Sequence, residues 1–211
     1  LLRDSAHLQE EDAKWANEKG FSKHSPALPL YGIADAEKAL TQFSPLHYGE
    51  DYALDEDFRV KFKDSGHILG AAFIDFKVRD GAGSKKILFS GDFGRPGQPI
   101  LRDPTQVYDV DYLVLESTYG DRLHEKTSPF ERLAQVINGS VERGGVLIIP
   151  SFAVGRTQTL LYLIRELEEA KAIPELPVYI DSPMSINATG IFENHIVDMD
   201  LTARLLTIEG K

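Results

Sequence analysis

The chain has 211 residues, with 33 acidic and 23 basic side chains and a formal net charge of −10 at pH 7. It contains no cysteine, which excludes a disulfide framework and thiolate metal sites, so any zinc must be held by nitrogen and oxygen. No apolar stretch approaches the roughly 20 residues of a membrane span. The acidic balance also argues against a general nucleic-acid-binding surface.

The first part of the chain is predicted to contain two helices followed by four strands. Residues 1–19 read as a helix that ends at Gly20, and residues 35–43 have the N-cap and spacing of a shorter helix. Apolar runs and alternation then predict four strands, with a hairpin turn over residues 79–85. These strands are expected at residues 59–63, 72–78, 86–89 and 112–115.

Beyond Gly120 the pattern changes to alternating strands and helices. Helices are predicted at residues 129–142 and 157–170, and buried strands at residues 145–150 and 177–181. This alternation is typical of a parallel sheet with crossover helices. We therefore place a domain boundary near Gly120, between residues 1–120 and residues 121–211.

Three apolar runs are each followed by a polar side chain able to bind or support a metal: His67, Asp92 and Glu116. Strand ends of layered α/β proteins are where sites are usually built. Imidazole and carboxylate are ligands suited to zinc, and one carboxylate can bridge two ions. Taken singly, each also has a structural interpretation: Asp92 in its own turn, His67 as a loop histidine, and Glu116 as a helix-start acid.

Six segments resemble motifs of the metallo-β-lactamase superfamily, and several of them resemble its β-CASP branch of RNA- and DNA-processing nucleases. They are residues 4–13 (DSAHLQEEDA), 64–71 (DSGHILGA), 89–94 (FSGDFG), 115–120 (LESTYG), 150–158 (PSFAVGRTQ) and 181–185 (DSPMS). The resemblance implies an α/β fold. Residues 1–120 would form the C-terminal portion of an αββα sandwich domain, and residues 121–211 the first part of a parallel-sheet, Rossmann-like β-CASP domain.

The resemblance implies a two-zinc phosphodiesterase that cleaves RNA. In it His67 would bind one zinc, Asp92 would bridge both ions, and Glu116 would act beside the metals by orienting ligands or a catalytic histidine. Ser151 and Arg156 lie between a predicted strand and helix, where they are candidate contacts for substrate phosphate. The alternative is that this stretch is only a tight turn and that Arg156 pairs with an acid.

The chain departs from the family because its His-x-His-x-Asp-His signature is absent from these residues. That signature would lie upstream of Leu1, and two later histidine motifs beyond Lys211. With His67 and Asp92 alone, a catalytic zinc has two protein ligands instead of the usual three. We therefore expect a central piece of a longer protein that binds zinc poorly and does not catalyse by itself.

Three other functions are alternatives for this sequence: a non-catalytic β-CASP-like scaffold, a small-molecule metallohydrolase of the same superfamily, and a nucleotide-binding α/β domain. The joint presence of His67, Asp92 and Glu116 favours the nuclease, and residues 116–185, which resemble the β-CASP insertion, argue against the small-molecule enzyme. Neither phosphate-binding fingerprint is present. The expected partner is single-stranded RNA in the cytoplasm, without a membrane. Endo- or 5′-exonuclease mode, RNA against DNA, and a homodimer are left open.

Overall fold

A computed structural model describes residues 1–81, 83–123 and 127–200. The chain divides into two compact units, Leu1–Leu46 and a second unit that begins at His47. Within the described residues, no helix is both long and apolar enough to cross a membrane. The predicted domain boundary near Gly120 stays a prediction.

The first unit contains two helices. α1 (Leu2–Lys19) ends at Gly20, whose φ of 69° is the left-handed conformation that glycine adopts readily, as predicted. α2 (Ile33–Leu40) begins two residues before the predicted start and ends three before the predicted end. The start is earlier because Gly32 is the N-cap and the Asp35 carboxylate accepts the Gly32 N–H at 3.0 Å, so Asp35 lies inside the first turn.

A five-stranded sheet forms the centre of the second unit, with its strands in chain order β1-β2-β3-β4-β5. The pairs β1–β2, β2–β3 and β3–β4 are antiparallel, whereas β4–β5 is parallel. The four predicted strands are all present. The strands are β1 (Asp51–Ala53), β2 (Phe58–Asp64), β3 (Ala72–Asp80), β4 (Gly83–Phe89) and β5 (Tyr112–Val114).

Two features of the sheet differ from the prediction. β1 was not predicted: it lies in an acidic stretch, and there Asp51 lies opposite Lys61 on β2 and pairs with it at 3.3 Å. Opposite charges across neighbouring strands stabilise such a pairing. β3 and β4 also extend into the predicted turn, where Arg79 lies opposite Ser84.

The register of the sheet separates its side chains onto two different faces. On the apolar face Val60 lies opposite Phe76, which lies opposite Ile87. On the other face Arg59 lies opposite Lys77, which lies opposite Lys86. We call this second face the charged face; its cationic members are Arg59, Lys61, Lys63, Lys77, Arg79 and Lys86, and its acidic members on the strands are Asp51 and Asp75.

Helices follow the sheet and bury two hydrophobic clusters. They are α3 (Pro129–Glu142), α4 (Arg156–Glu169), α5 (Pro183–Asn194) and a 3-10 turn (Ile196–Asp198). The first cluster joins α3 to α4 through Ile137, Leu167 and Ile173. The second packs the loop after β4 against α5 and Met199. Its members are Ile100, Leu101, Phe192 and Met199, with Leu69, Val154 and Tyr162 around them.

The predicted strands at residues 145–150 and 177–181 are not strands in the structure, so the parallel sheet expected after Gly120 is not formed there. A strand is defined by hydrogen bonds to a neighbour, and among the described residues no strand pairs with either segment. Val146 and Ile148 are 89% and 82% exposed as a result. α5 was not predicted, although Ser182 caps it by accepting the Ser185 N–H at 3.2 Å and Pro183 begins it.

Candidate functional site

The loop after β2 presents His67 on a backbone held by its own hydrogen bonds. The Gly66 N–H donates to Asp64 Oδ1 at 2.8 Å, and the Ser65 N–H donates to the Ala71 carbonyl oxygen at 3.1 Å. Ser65 is fully buried, whereas the His67 side chain is 43% exposed. The start of the loop, at Ser65 and Gly66, is therefore held by hydrogen bonds, while the His67 imidazole is accessible to solvent.

The turn after β4, which carries Asp92, is bonded directly to that loop. The Ser65 hydroxyl donates to the Asp92 main-chain oxygen at 2.9 Å, and the Gly94 N–H donates to the Ser65 carbonyl oxygen at 2.8 Å. The backbones approach so closely that a Cβ on Gly94 would lie 1.9 Å from the Gly66 carbonyl oxygen. Glycine at position 94 is thus required for the two loops to meet.

These contacts bring two predicted metal ligands together. Nε2 of His67 lies 4.0 Å from Oδ2 of Asp92, and the Asp92 side chain is 74% exposed. An imidazole nitrogen and a carboxylate oxygen at this separation face the same small volume at the edge of the sheet. The prediction that His67 and Asp92 bind metal is not tested by this geometry, but their proximity is what such a role requires.

Glu116 is the third predicted residue, and its carboxylate is directed at the Asp92 turn. Oε1 accepts the Phe93 N–H at 2.9 Å and Oε2 accepts the Thr118 hydroxyl at 2.7 Å. The hydrogen bond from Phe93 and then that from Thr118 lower the pKa of Glu116. The Glu116 N–H in turn donates to the Ser90 hydroxyl at 2.9 Å, at the start of the same turn. Glu116 therefore stabilises the backbone next to Asp92 through the Phe93 N–H, and its lowered pKa favours the ionised carboxylate.

The side chains at this site match part of what a zinc ion needs. His67 and Asp92 supply nitrogen and oxygen ligands of the kind that zinc accepts. Across the described ranges, no group of three or more histidine, aspartate and glutamate residues is arranged to hold a metal ion. The described residues thus fit zinc in chemistry and supply two ligands, where a catalytic zinc has three from the protein.

The first turn of α4 lies against the loop that carries His67. Gly155, the residue before α4, has a φ of 83°, and a Cβ there would lie 3.0 Å from Cγ2 of Ile68.

Of the two predicted phosphate contacts, Ser151 shares a hydrogen bond of 2.9 Å with the Thr157 hydroxyl. Arg156 is exposed at the first position of α4 and forms no ion pair with the side chains that the structure describes. Among the described side chains, no hydrogen bond or ion pair joins Ser151 or Arg156 to His67 or Asp92.

Buried hydroxyl and amide side chains that join these segments were missed from the sequence. Gln158 is 5% exposed: its Oε1 accepts the Gly155 N–H at 2.7 Å, and its Nε2 donates to the Ala153 carbonyl oxygen at 3.1 Å and to the Thr189 hydroxyl at 3.0 Å. It thereby ties the turn before α4 to α5. Ser65 was also missed, and the available signal was its place between Asp64 and a glycine, where short hydroxyl side chains bond to backbone.

Beside the His67 loop, burial shifts the pKa values of two acidic groups. Desolvation, followed by the nearby carboxylates of Asp64 and Asp198, raises the pKa of Tyr48 to about 12, while Arg102 opposes the shift. Desolvation also raises the pKa of Asp64, against the effects of the Gly66 N–H and of Arg102. The Tyr48 hydroxyl donates to the Ala71 carbonyl oxygen at 2.8 Å. The base of the loop is therefore a half-buried polar cluster built around one cation, Arg102.

Comparisons with a family model and with known proteins agree on one family. Residues 157–209 match the β-CASP domain. The chain is 35% identical over 170 residues to an RNase J-like protein of Methanocaldococcus jannaschii, an alignment covering 79% of this chain and 39% of that protein. It is 35% identical over 158 residues to Ribonuclease TTHA0252 of Thermus thermophilus, covering 74% and 35% respectively. With the transcription termination factor FttA of Methanosarcina mazei the identity is 34% over 179 residues, covering 82% and 27%.

These matches, with the motifs and the mixed α/β sheet, identify the chain as a member of the metallo-β-lactamase superfamily, in its β-CASP branch. The family and the α/β fold class inferred from the sequence are thereby confirmed. The chain spans about a quarter to two fifths of the length of these relatives, with 39%, 35% and 27% of each covered.

Proposed function

We propose that the protein carrying this chain is a zinc-dependent phosphodiester hydrolase that acts on single-stranded RNA. The observation that carries the proposal is the convergence of His67 Nε2 and Asp92 Oδ2, at 4.0 Å, from the ends of two strands. The names of the similar proteins support it, since two are an RNase J-like protein and a ribonuclease.

Each residue of the site has a role in this proposal. His67 and Asp92 would hold the metal, and a bound zinc supplies a water with a pKa of about 7 as the nucleophile. Glu116 keeps the Asp92 turn in place through the Phe93 N–H. Ser151, in the segment before α4, and Arg156, at the first position of α4, would receive the phosphate of the substrate.

The test is cleavage of a 5′-labelled single-stranded RNA, with a DNA of the same sequence in parallel. In the complete protein, Asp92→Ala and His67→Ala should each reduce cleavage by at least about 100-fold and reduce the zinc bound per protein. Asp12→Ala and His47→Ala change one exposed aspartate and one exposed histidine whose side chains make none of the contacts described at the site; they are the matched controls and should cleave as the parent does. Full RNA cleavage by Asp92→Ala would refute the proposal.

The 211-residue chain by itself provides a second test, of zinc binding and RNA cleavage. Because the described residues supply two ligands, we expect it to bind less than one zinc per chain and to leave RNA intact. Stoichiometric zinc binding with RNA cleavage by this chain alone would overturn that expectation, while leaving the proposed activity of the complete protein in place.

A further inference from the structure

The charged face of the sheet holds a row of like charges that the fold itself does not explain. Arg59 on β2, Lys77 on β3 and Lys86 on β4 occupy directly opposed positions across three strands. Like charges placed opposite each other in an antiparallel sheet destabilise it. An anion bound across the row would remove that repulsion.

The other cations of the charged face, and Lys86 within the row, each have a carboxylate partner. Arg79 pairs with Asp57 at 3.6 Å. Lys61 pairs with Asp51 at 3.3 Å. Asp75 is 8% exposed, and its Oδ2 lies 2.9 Å from Nζ of Lys63 and 3.4 Å from Nζ of Lys86. One carboxylate is therefore shared by two ammonium groups, and its charge is already compensated.

Arg59 and Lys77 are the two cations left over. Both are exposed, and neither has an ion-pair or hydrogen-bond partner among the side chains described. A protein with a net charge of −10 thus presents two neighbouring exposed cations, with Lys86 next in the row, on one face of a rigid sheet. Arginine, with its planar fork of donors, suits phosphate in particular.

We propose that Arg59 and Lys77, with Lys86 beside them, form a binding surface for the phosphate backbone of RNA outside the metal site. The choice of RNA over another polyanion rests on the proposed function. Lys86 precedes Asp92 by six positions, so the chain between them spans at most about 20 Å. A stacked strand rises about 3.4 Å per nucleotide, and about six nucleotides would cover that distance. The surface would hold a part of the RNA that is not being cut.

The experiment measures the affinity of the 211-residue chain for a fluorescent 20-nucleotide single-stranded RNA by anisotropy, across a series of KCl concentrations. The variant R59Q/K77Q removes the two unpaired cations and keeps long polar side chains. The control K14Q/K23Q removes two exposed cations from the first unit, with the same change in net charge. Poly-glutamate of similar charge replaces RNA in a parallel arm.

We expect R59Q/K77Q to weaken RNA binding at least about 10-fold near 0.1 M KCl and to lower the slope of log affinity against log salt by about 1.4, two contacts at about 0.7 each. Its melting temperature should be unchanged or higher, because the like-charge row is relieved. The control should change affinity less than about 2-fold.

Three outcomes would overturn the proposal: equal losses in both variants, an unchanged salt slope, or binding to poly-glutamate that depends on Arg59 and Lys77 while RNA binding does not. Because this assay measures binding and involves no cleavage, it is independent of the cleavage test. A protein that fails to cut RNA but shows the expected R59Q/K77Q effect would lose the proposed activity and keep this surface.

Discussion

The hydroxyl group of Ser65 donates a hydrogen bond of 2.9 Å to the main-chain oxygen of Asp92, and so joins the loops that carry the two candidate metal ligands. Ser65→Ala removes this bond from a fully buried position, and we expect the free energy of unfolding to fall by about 1 kcal/mol. The measurement is urea denaturation followed by circular dichroism. Ser44→Ala, at an exposed site, is the control and should stay within about 0.5 kcal/mol of the parent. Equal stabilities of the Ser65 and Ser44 variants would contradict this assignment.

The Glu116 carboxylate should make stability depend on pH in the acid range. The hydrogen bonds from Phe93 and Thr118 lower its pKa in the folded protein, so the unfolded chain binds more protons as the pH falls. The stabilisation is therefore present above the unfolded pKa of about 4.3 and is lost as the pH falls through the folded pKa. We expect the urea midpoint of the parent to fall more steeply below about pH 4.5 than that of Glu116→Gln.

Glu11→Gln on α1 is the charge-matched control for that comparison, since the Glu11 carboxylate is exposed and has no hydrogen-bond partner among the described residues. Midpoints recorded from about pH 3 to about pH 6 decide the matter. Parallel curves for the parent and Glu116→Gln would show that the lowered pKa of Glu116 contributes nothing to the pH dependence of stability. In the complete protein, Glu116→Gln should also reduce cleavage by about 10- to 100-fold, as expected for a group that orients a metal ligand.

Gly94 should tolerate no side chain. A Cβ there would lie 1.9 Å from the Gly66 oxygen and 2.9 Å from the His67 nitrogen, and both are backbone atoms that move only if the loops separate. We expect Gly94→Ala to destabilise the protein by more than about 2 kcal/mol, as measured by thermal unfolding. Gly190→Ala on α5 is the control, because a Cβ there meets nothing within 4 Å and alanine favours the helix. A Gly94→Ala protein as stable as the Gly190 variant would show that the loops approach less closely than described.

The sequence predicted the strands before Gly120 better than those after it, and for a physical reason. In β2, β3 and β4 the alternation of side chains matches the two faces of the sheet, as Val60, Phe76 and Ile87 show. The segment at residues 145–150 has an equally strong apolar run but no neighbour to pair with in the described chain. Apolar composition thus predicts burial and extension, while a ladder also needs a partner that a local pattern does not reveal.

The candidate site was predictable in its residues and not in its connections. His67, Asp92 and Glu116 stand at strand ends, which local patterns locate well. That Glu116 accepts the Phe93 N–H, or that Ser65 reaches Asp92, depends on register between strands distant in sequence. A serine hydroxyl or a glutamate carboxylate can form hydrogen bonds with many different groups. Which group it meets is set by the register of the strands in the folded sheet.

Gln158 provides the last prediction, because one buried amide holds the turn before α4 to α5. Gln158→Leu keeps the size and apolar stem but leaves the Gly155 N–H, which lies in a buried residue, without its acceptor at 2.7 Å. It also removes the donor to the Thr189 hydroxyl. Because an unsatisfied buried donor costs about 1–3 kcal/mol, we expect a loss of that size in the free energy of unfolding.

Gln158→Glu is the informative second variant. It keeps an oxygen for the Gly155 N–H but places an acid where the amide donates to the Ala153 oxygen and to the Thr189 hydroxyl. A buried carboxylate opposite a carbonyl oxygen is favourable only when protonated, so this variant should recover stability as the pH falls from about 7 to about 5, whereas Gln158→Leu should not. Urea midpoints at both pH values provide the comparison. Parent-like stability of Gln158→Leu at pH 7 would show that the link between the two helices is carried by the apolar contacts of Phe192 and Val154 alone.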